Sequence, residues 1–357
     1  MPDSRHFLRI FLLTMALFMT VSISALADSY VFTTSSGRWT TTCNLEEPAG
    51  FGGEIYQYQY KQQTKKAQTL QDSLSTTLQS PLTFTANVDN SAHLYSKTDV
   101  SISVPTFVSD DAVLTEAEQT VTAQFAEGLN AAGFSCYGNP YLCAKLSTVF
   151  QESNESAIGS LPDWTTYENR LHSGNGASIF TPDDVLVVLA TEVNGYPILP
   201  QLFGNFSDSD VPMFALAVIQ QEQIVYIEIG CSYEITKERK IESSLVDWKS
   251  AVDTAMQQAL NIWQPAFDSL ATQNTAGFDY AGFFDAYQPS FTLSADSMQA
   301  CYYASNGILR PGWQVNFVLT VNLENADALT QADIHHYLPE TVRMTYVVDA
   351  MTGEAVV

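Results

Sequence analysis

VRMTYVVDAMTGEAVV, residues 342–357, holds the pattern that decides the fold of the C-terminal part of this chain. Apolar and polar residues alternate through its first half, which is the period of a β-strand with one buried face. Asp349 can accept backbone N–H groups in a turn, and Gly353 can supply the positive φ that such a turn needs. The stretch therefore predicts two antiparallel strands joined by a tight turn.

A longer hairpin is predicted before this stretch. Asn306-Gly307 is the strongest short hairpin signal, and MQACYYA at residues 298–304 supplies its first arm. In the return arm, residues 313–323, apolar residues alternate with amide and hydroxyl residues. This alternation predicts an antiparallel strand with one buried face.

Three helices are predicted from capping signals and apolar spacing. Thr115 begins the first with a capping box that Glu118 completes. Thr181-Pro-Asp-Asp begins the second, which is predicted to continue over residues 185–193. The third is predicted over residues 244–263 and carries an apolar stripe that should lie across a sheet. Pro265 is predicted to end that helix, and shorter helices are expected over residues 141–152 and 330–337.

The remaining apolar runs predict strands. MFALAVIQ and QIVYIEIG flank Gln221–Glu222 and are apolar on both faces, which favours a hairpin in the centre of a sheet. Residues 28–110 are rich in strand patterns, and Tyr56, Tyr58 and Tyr60 share one face of the clearest strand. The predicted class is therefore α+β, with antiparallel sheets each packed by helices and a β-rich N-terminal region.

Four regions follow from these patterns. They are a signal peptide (1–27), a β-rich N-terminal region (28–110), an α+β middle region (111–240), and a helix with an antiparallel sheet (241–357).

The C-terminal region resembles the end of PepSY-type domains. PGWQVNFVLTV followed by MTYVVDAMTGEAVV is similar to their final strands and their VDAxTGE turn, over roughly residues 291–357. The chain departs from the family because an aromatic linker separates the predicted helix from these strands. The resemblance implies a non-catalytic extracytoplasmic role, since PepSY units inhibit or chaperone secreted peptidases or regulate envelope proteins. It carries over no catalytic residue, and it implies structural roles in the turn for Asp349 and Gly353.

The N-terminus predicts export. Arg5 and Arg9 precede an apolar run, and residues 22–27 end in a small-residue pattern that predicts cleavage near Ala27. The run is short for a membrane span, so we expect cleavage without stable membrane insertion and a secreted or envelope-associated bacterial protein, with a retained anchor as the alternative. The net charge of the chain is −24, and a charge of that size repels phosphate backbones and excludes nucleic acid as a partner.

Export also permits disulfides. Cys136 and Cys143 bracket YGNPYL, whose turn residues could bring the two thiols together, so these residues are the disulfide candidates. Among Cys43, Cys231 and Cys301 one further pair is open. No histidine lies close in sequence to any cysteine, so the sequence favours inert buried thiols over nucleophiles.

Two polar clusters contain residue types that can bind metal ions. Asp333, His335, His336 and Glu340 lack a zinc-ligand spacing, and the oxygen-rich loop 205–210 lacks the glycine and closing glutamate of a calcium loop. We therefore expect no metal and no cofactor.

Three function hypotheses remain. The first is a protein that binds or modulates another extracytoplasmic protein, possibly a peptidase, with Tyr346 among the candidate surface residues. The second is a cell-wall or glycan-binding module that uses exposed aromatic residues, for which Tyr280, Phe283 and Tyr287 are the candidates. The third is a carboxylate-based hydrolase. No Gly-x-Ser-x-Gly, His-Glu-x-x-His or phosphate-loop motif occurs, so we expect no enzyme.

Overall fold

The structure is a computed structural model that describes most of the chain after residue 27. The described residues are 28–62, 67–79, 85–86, 94–96, 107–108, 111–150, 180–200, 213–230, 233–272, 274–275, 278–323, 326–327 and 338–356. The predicted signal peptide, the loop 205–210, the predicted helix 330–337 and Cys231 lie outside them.

Strands outnumber helices in the described residues. The α-helices are α1 (Ala67–Thr77), α2 (Glu116–Ala131), α3 (Trp248–Leu270) and α4 (Tyr280–Tyr287). The strands are β1 (Ser29–Ser36), β2 (Trp39–Glu46), β3 (Tyr56–Gln62), β4 (Thr85–Ala86), β5 (Leu94–Tyr95), β6 (Phe107–Val108), β7 (Leu142–Lys145), β8 (Val149–Phe150), β9 (Val185–Val193), β10 (Tyr196–Ile198), β11 (Phe214–Gln220), β12 (Gln223–Ile229), β13 (Tyr233–Lys240), β14 (Asn274–Thr275), β15 (Phe278–Asp279), β16 (Ser290–Ser305), β17 (Ile308–Asn322), β18 (Thr341–Asp349) and β19 (Ala355–Val356). The fold is therefore a strand-rich mixture of helix and sheet.

The predicted Asn306-Gly307 hairpin is the centre of the C-terminal sheet. Both turn residues have positive φ, and β16 and β17 pair antiparallel over nearly their whole length. β17 then pairs with β18, and β18 pairs with β19 and β6. On its other side, β16 pairs in parallel with β2, which is antiparallel to β1. The sheet is thus mixed, whereas the sequence predicted antiparallel pairing alone.

The core of this sheet lies under α3. The helix buries Val252, Met256 and Trp263 against Val315 and Phe317 of β17. Residues of the N-terminal hairpin belong to the same cluster, since Trp39, Cys43 and Leu45 of β2 are buried in it. Burial of this apolar surface is the main force that holds the helix on the sheet, at roughly 25 cal/mol per Å².

The middle sheet has the order β4-β5-β12-β11-β9-β7 and is antiparallel throughout. α1 and α2 cover one of its faces through Leu74, Phe125 and Leu129. Strands of the region 28–110 contribute to both sheets, because β1 to β3 join the C-terminal sheet while β4 and β5 join the middle one.

The predicted helix over residues 185–193 is wrong, because this segment is the strand β9. The Thr181 N–H and hydroxyl each donate to the Asp184 carboxylate at 2.7 Å, so the capping signal closes a turn instead of starting a helix. The following run is rich in β-branched residues and almost wholly buried between β11 and β7. Burial on both faces favours a central strand.

Two other predicted helix features are wrong. Residues 141–152 do not form a helix where they are described; they form β7, a 3₁₀ turn at Leu146–Thr148, and β8. Pro265 does not end α3, which continues to Leu270 because Phe267 and Leu270 are buried in the core. The capping box of α2 is confirmed, with Thr115 and Glu118 bonded reciprocally.

Candidate functional site

The aromatic residues predicted as a binding surface are mostly inside the protein. Tyr280 and Phe283 are 8% and 5% exposed because α4 folds them onto the core of the C-terminal sheet. Tyr287 is half-buried against Phe283, with 5.6 Å between ring centroids. Tyr58 and Tyr60 are also buried. The prediction of an exposed aromatic binding surface is therefore wrong for the buried residues. For the half-buried Tyr287, a role in ligand binding stays a prediction.

Tyr346 is a core residue and not a surface one. It is 6% exposed, and its hydroxyl accepts a 3.0 Å hydrogen bond from the Trp263 indole N–H of α3. Burial raises the pKa of its phenol to about 12, although the Trp263 hydrogen bond acts in the opposite direction. Its role is to fasten α3 to β18.

Asp349 and Gly353 form the predicted turn. The Asp349 carboxylate accepts the Met351 and Thr352 N–H groups at 2.7 and 2.9 Å, and Gly353 has a φ of +76°. The other carboxylate oxygen of Asp349 accepts the Tyr303 hydroxyl at 2.5 Å and pairs with Arg310 at 2.8 Å. The turn is thus anchored to the β16–β17 hairpin by charge-assisted bonds.

The predicted Cys136–Cys143 disulfide is absent. Both thiols are free, because the two residues lie opposite different positions of β9: Cys136 pairs with Thr191 and Cys143 with Val187. Four strand residues span about 13 Å, which is beyond the reach of a disulfide. Burial raises the pKa of the Cys136 thiol to about 12 and that of Cys143 to about 11, so neither is poised as a nucleophile.

The strongest candidate site is a cleft on the polar face of the C-terminal sheet, which we call the amide groove. The middle region covers this face and leaves two adjoining lobes of about 190 and 260 Å³. The polar residues that line the amide groove are Asp111, Tyr137, Asn139, Tyr141, Asp296, Ser297, Gln299, Gln314, Asn316, Arg343 and Thr345. A concave site with convergent polar groups is the usual form of a small-ligand site.

Strand register aligns the amides of this groove. Gln299 of β16 lies opposite Gln314 of β17, and Asn316 lies between Ser297 of β16 and Thr345 of β18. Residues directly opposite in neighbouring strands point to the same face. Their side chains therefore form a continuous row across three strands.

Hydrogen bonds fix the orientation of that row. Gln299 donates to Gln314 at 2.8 Å, and Gln314 donates to Asn316 at 2.9 Å. Asn316 donates to the Ser297 hydroxyl at 2.9 Å and accepts from the Thr345 hydroxyl at 2.7 Å. The row is thus held in one arrangement before any ligand enters.

A β-bulge in β16 gives the groove its charged end. The register shifts between Ala295 and Ser297, so Asp296 is the extra residue. Both Asp296 and Ser297 then line the groove, which matches the use of bulges to redirect side chains at functional sites. The sequence prediction began this strand at residue 298 and so missed the bulge.

Arg343 connects two carboxylates at this end. Its guanidinium lies 3.2 Å from an oxygen of Asp111 and 3.6 Å from an oxygen of Asp296. The two carboxylates are therefore within the ~10 Å separation that the hydrolase hypothesis requires. Both carboxylates are therefore paired with one guanidinium, which makes this end of the amide groove a single charged cluster.

A second candidate surface is the outer edge of β1. Among the described residues this strand pairs only with β2, without a register shift. It contains no charged residue and no proline, and Val31 is 64% exposed. By contrast, the last strand of the chain, β19, consists of two residues, Ala355 and Val356, and β6 pairs with another part of β18.

The described ranges contain no group of three or more His, Cys, Asp or Glu residues that could hold a metal ion. Within the same ranges, no helix has the length and apolar character needed to cross a membrane. Of Asp333, His335, His336 and Glu340, for which no metal site is expected, only the exposed Glu340 is described.

No family model matches the chain, and no curated protein matches it. Among solved structures, the chain is similar to an uncharacterized protein from Eubacterium rectale. The identity is 11% and the TM-score is 0.45, over 94% of this chain and 95% of that chain.

Proposed function

We propose that this is an exported, non-catalytic protein that binds another extracytoplasmic protein by adding a strand of the partner to the edge of β1. Main-chain hydrogen bonds supply affinity in such complexes, and alternate side chains supply specificity. The PepSY-like C-terminal sequence and the predicted signal peptide support the proposal. Cleavage near Ala27 would place β1 at the new N-terminus.

The contrast between two long edge strands carries this proposal. β13, which pairs only with β3 in the described part of the chain, has five charged residues and a register shift. Charges and bulges are the means by which proteins prevent unwanted strand pairing. β1 has neither, although it is equally long. Because the edge of β13 is protected against strand pairing and the edge of β1 is not, we infer that the edge of β1 binds a partner strand.

Charge defines the partner further. Glu46 and Glu47 are exposed beside the start of β1, and the whole chain carries a net charge of −24. A partner strand with lysine or arginine at the end that meets Ser29 is therefore favoured, because complementary charge speeds association and fixes the register.

The hydrogen-bond pattern between β1 and β2 identifies the backbone groups of β1 that can bond to a partner strand. The Glu47 N–H donates to the Asp28 carbonyl at 2.8 Å, so this pair is hydrogen-bonded. Since bonded pairs alternate in an antiparallel ladder, the odd-numbered residues of β1, including Val31 and Thr33, direct their N–H and C=O groups outward.

The test uses residues 28–357 as bait for the secreted and envelope proteins of the source organism. Thr33→Pro removes one outward N–H without removing a β1–β2 bond, and proline is tolerated on an edge strand. Thr33→Ala is the matched control that keeps the N–H. We expect the wild type and Thr33→Ala to capture the same protein and Thr33→Pro to capture at least about tenfold less.

Hydrogen exchange of the isolated complex locates the contact. We expect new protection at Val31, Thr33 and Ser35. Equal capture by Thr33→Pro, protection confined to other strands, or capture of polysaccharide without protein would each contradict the proposal.

A further inference from the structure

We infer that the amide groove binds a neutral oligosaccharide. The groove lies on the face of β16, β17 and β18, away from the edge of β1. Its ligand is therefore independent of the partner protein proposed above, and either inference can fail alone.

Only side chains on the floor of the amide groove can form hydrogen bonds with a ligand. The backbone groups of β17 are used in the ladders with β16 and β18, so an extended peptide cannot add to them as a strand. What remains accessible is the part of the row formed by Gln299, Asn316 and Ser297, whereas Gln314 is buried between them. The carbonyl oxygen of Gln299 and the hydroxyl hydrogen of Ser297 stand at the two ends of this row, one an acceptor and the other a donor.

A sugar satisfies such a mixed row. Each sugar hydroxyl both donates and accepts, as do amide side chains taken as a whole. The row is already ordered by its own hydrogen bonds, so a ligand would not have to immobilise flexible side chains.

The charges of the groove favour a neutral ligand. Arg343 is paired with both Asp111 and Asp296, so it has no unshared positive charge for a phosphate or carboxylate. The two carboxylates can still accept hydrogen bonds from ligand hydroxyls. An anionic ligand would be repelled by them.

Two tyrosines supply the apolar part of the site. Tyr137 and Tyr141 are half-buried on the wall that faces the amides. The Tyr137 ring can pack against the C–H face of a sugar, as aromatic residues with one polar end do at wet interfaces, whereas Tyr141 also packs against two clusters of the core. Burial raises the pKa of the Tyr141 phenol, so the hydroxyl stays protonated as a donor.

The size of the groove fits a short oligosaccharide. Its lobes of about 190 and 260 Å³ share Tyr141, Ser297, Gln314 and Asn316. Together they fall in the range of small-ligand sites, ~300–1,000 Å³. Two adjoining lobes suit two or three linked sugar rings.

The experiment is a binding screen of residues 28–357. The probes are di- and trisaccharides of glucose, mannose, galactose, xylose and N-acetylglucosamine, with uncharged peptides of similar length beside them. We expect at least one saccharide to bind at millimolar concentration or below. Tyr137→Ala should weaken it about tenfold and Gln299→Ala about fivefold.

Thr320→Ala is the matched control, because Thr320 lies on the same strand as Gln314 but does not line the groove. Hydrogen exchange on the unchanged protein gives a readout that needs no variant, with protection expected at residues 137–141 and 296–300. Failure of every saccharide to bind, binding of the peptides instead, or a saccharide unaffected by both groove variants would overturn the inference.

Discussion

At the scale of single residues, burial decides what the polar and reactive groups do. Tyr346 lies in the core, where its hydroxyl accepts a hydrogen bond from Trp263, and the pairing with β9 keeps the buried Cys136 apart from Cys143. Tyr346, predicted at a binding surface, and Cys136, predicted in a disulfide, are therefore residues that pack in the core. Their chemistry can be tested directly.

The thiols of Cys136 and Cys143 should be free and unreactive in the native protein. Their thiol pKa values, raised by burial to about 12 and about 11, leave little thiolate at pH 8. We expect negligible alkylation by iodoacetamide within an hour in buffer and full alkylation in guanidinium, followed by peptide mass spectrometry. A Cys136–Cys143 linked peptide in unreduced protein would contradict the structure.

Stability should fall at alkaline pH through Tyr346. Its folded pKa of about 12 lies above its usual value near 10, so its contribution is complete below pH 10 and is lost as pH rises toward 12. The loss is about 2 kcal/mol. Tyr346→Phe removes this dependence together with the hydrogen bond from Trp263, which costs about 1 kcal/mol at pH 8.

Urea unfolding of the wild type and Tyr346→Phe at pH 8 and pH 11.5 checks this. We expect the stability difference between them to narrow at the higher pH. Tyr287→Phe is the control, since its ring is half-buried at the surface of α4. A constant difference at both pH values would exclude the effect.

At the scale of elements, short sequence motifs correctly predict the turns and helix ends that are stabilised by residues adjacent in sequence. The hairpin at Asn306-Gly307 and the capping box at Thr115 need only neighbouring residues, and both are present. Thr181-Pro-Asp-Asp is also a valid helix start locally. The strand β9 forms instead because β11 and β7 pair with its backbone on both sides and two different core clusters bury its two faces, and the capping signal at residues 181–184 does not report these distant partners.

Pro265 is the element-scale test. It is exposed inside α3, where it cannot donate an N–H to the preceding turn. Pro265→Ala should therefore raise the free energy of unfolding, by about 1–3 kcal/mol. The measurement is urea unfolding, with exposed Asp268→Ala as a control in the same helix. An unchanged or lower stability would show that the helix is not continuous there.

At the scale of the whole molecule, the largest errors of the sequence prediction concern distant pairing. Thr42 of β2 bonds Ser294 of β16 across 252 residues, and nothing in either strand predicts this partner. The amide groove was missed for the same reason. The sequence predicts Gln314 and Asn316 on a polar face of the strand. Gln314 is nevertheless only 3% exposed, because the middle region covers this face, and the sequence of the strand does not predict that cover.

The predicted region 241–357 should therefore not fold alone. Its core includes Trp39, Cys43 and Leu45 of β2, whose loss would expose the edge of β16 and leave a cavity beside α3. We expect this fragment to lack a cooperative thermal transition by circular dichroism and calorimetry. Addition of a peptide spanning residues 28–62 should restore it. A sharp transition in the fragment alone would contradict the shared core.

The parallel pairing of β2 with β16 also dictates the order of folding events during synthesis. At ~5–20 residues per second, ribosomes need roughly 10–50 s to reach Ser294 after Thr42. Throughout that interval the early hairpin has no sheet to join, and its tryptophan and leucine have no core. The apolar side chains of the early hairpin therefore stay without their core until the last third of the chain is made, and exposed apolar surface of this kind favours aggregation.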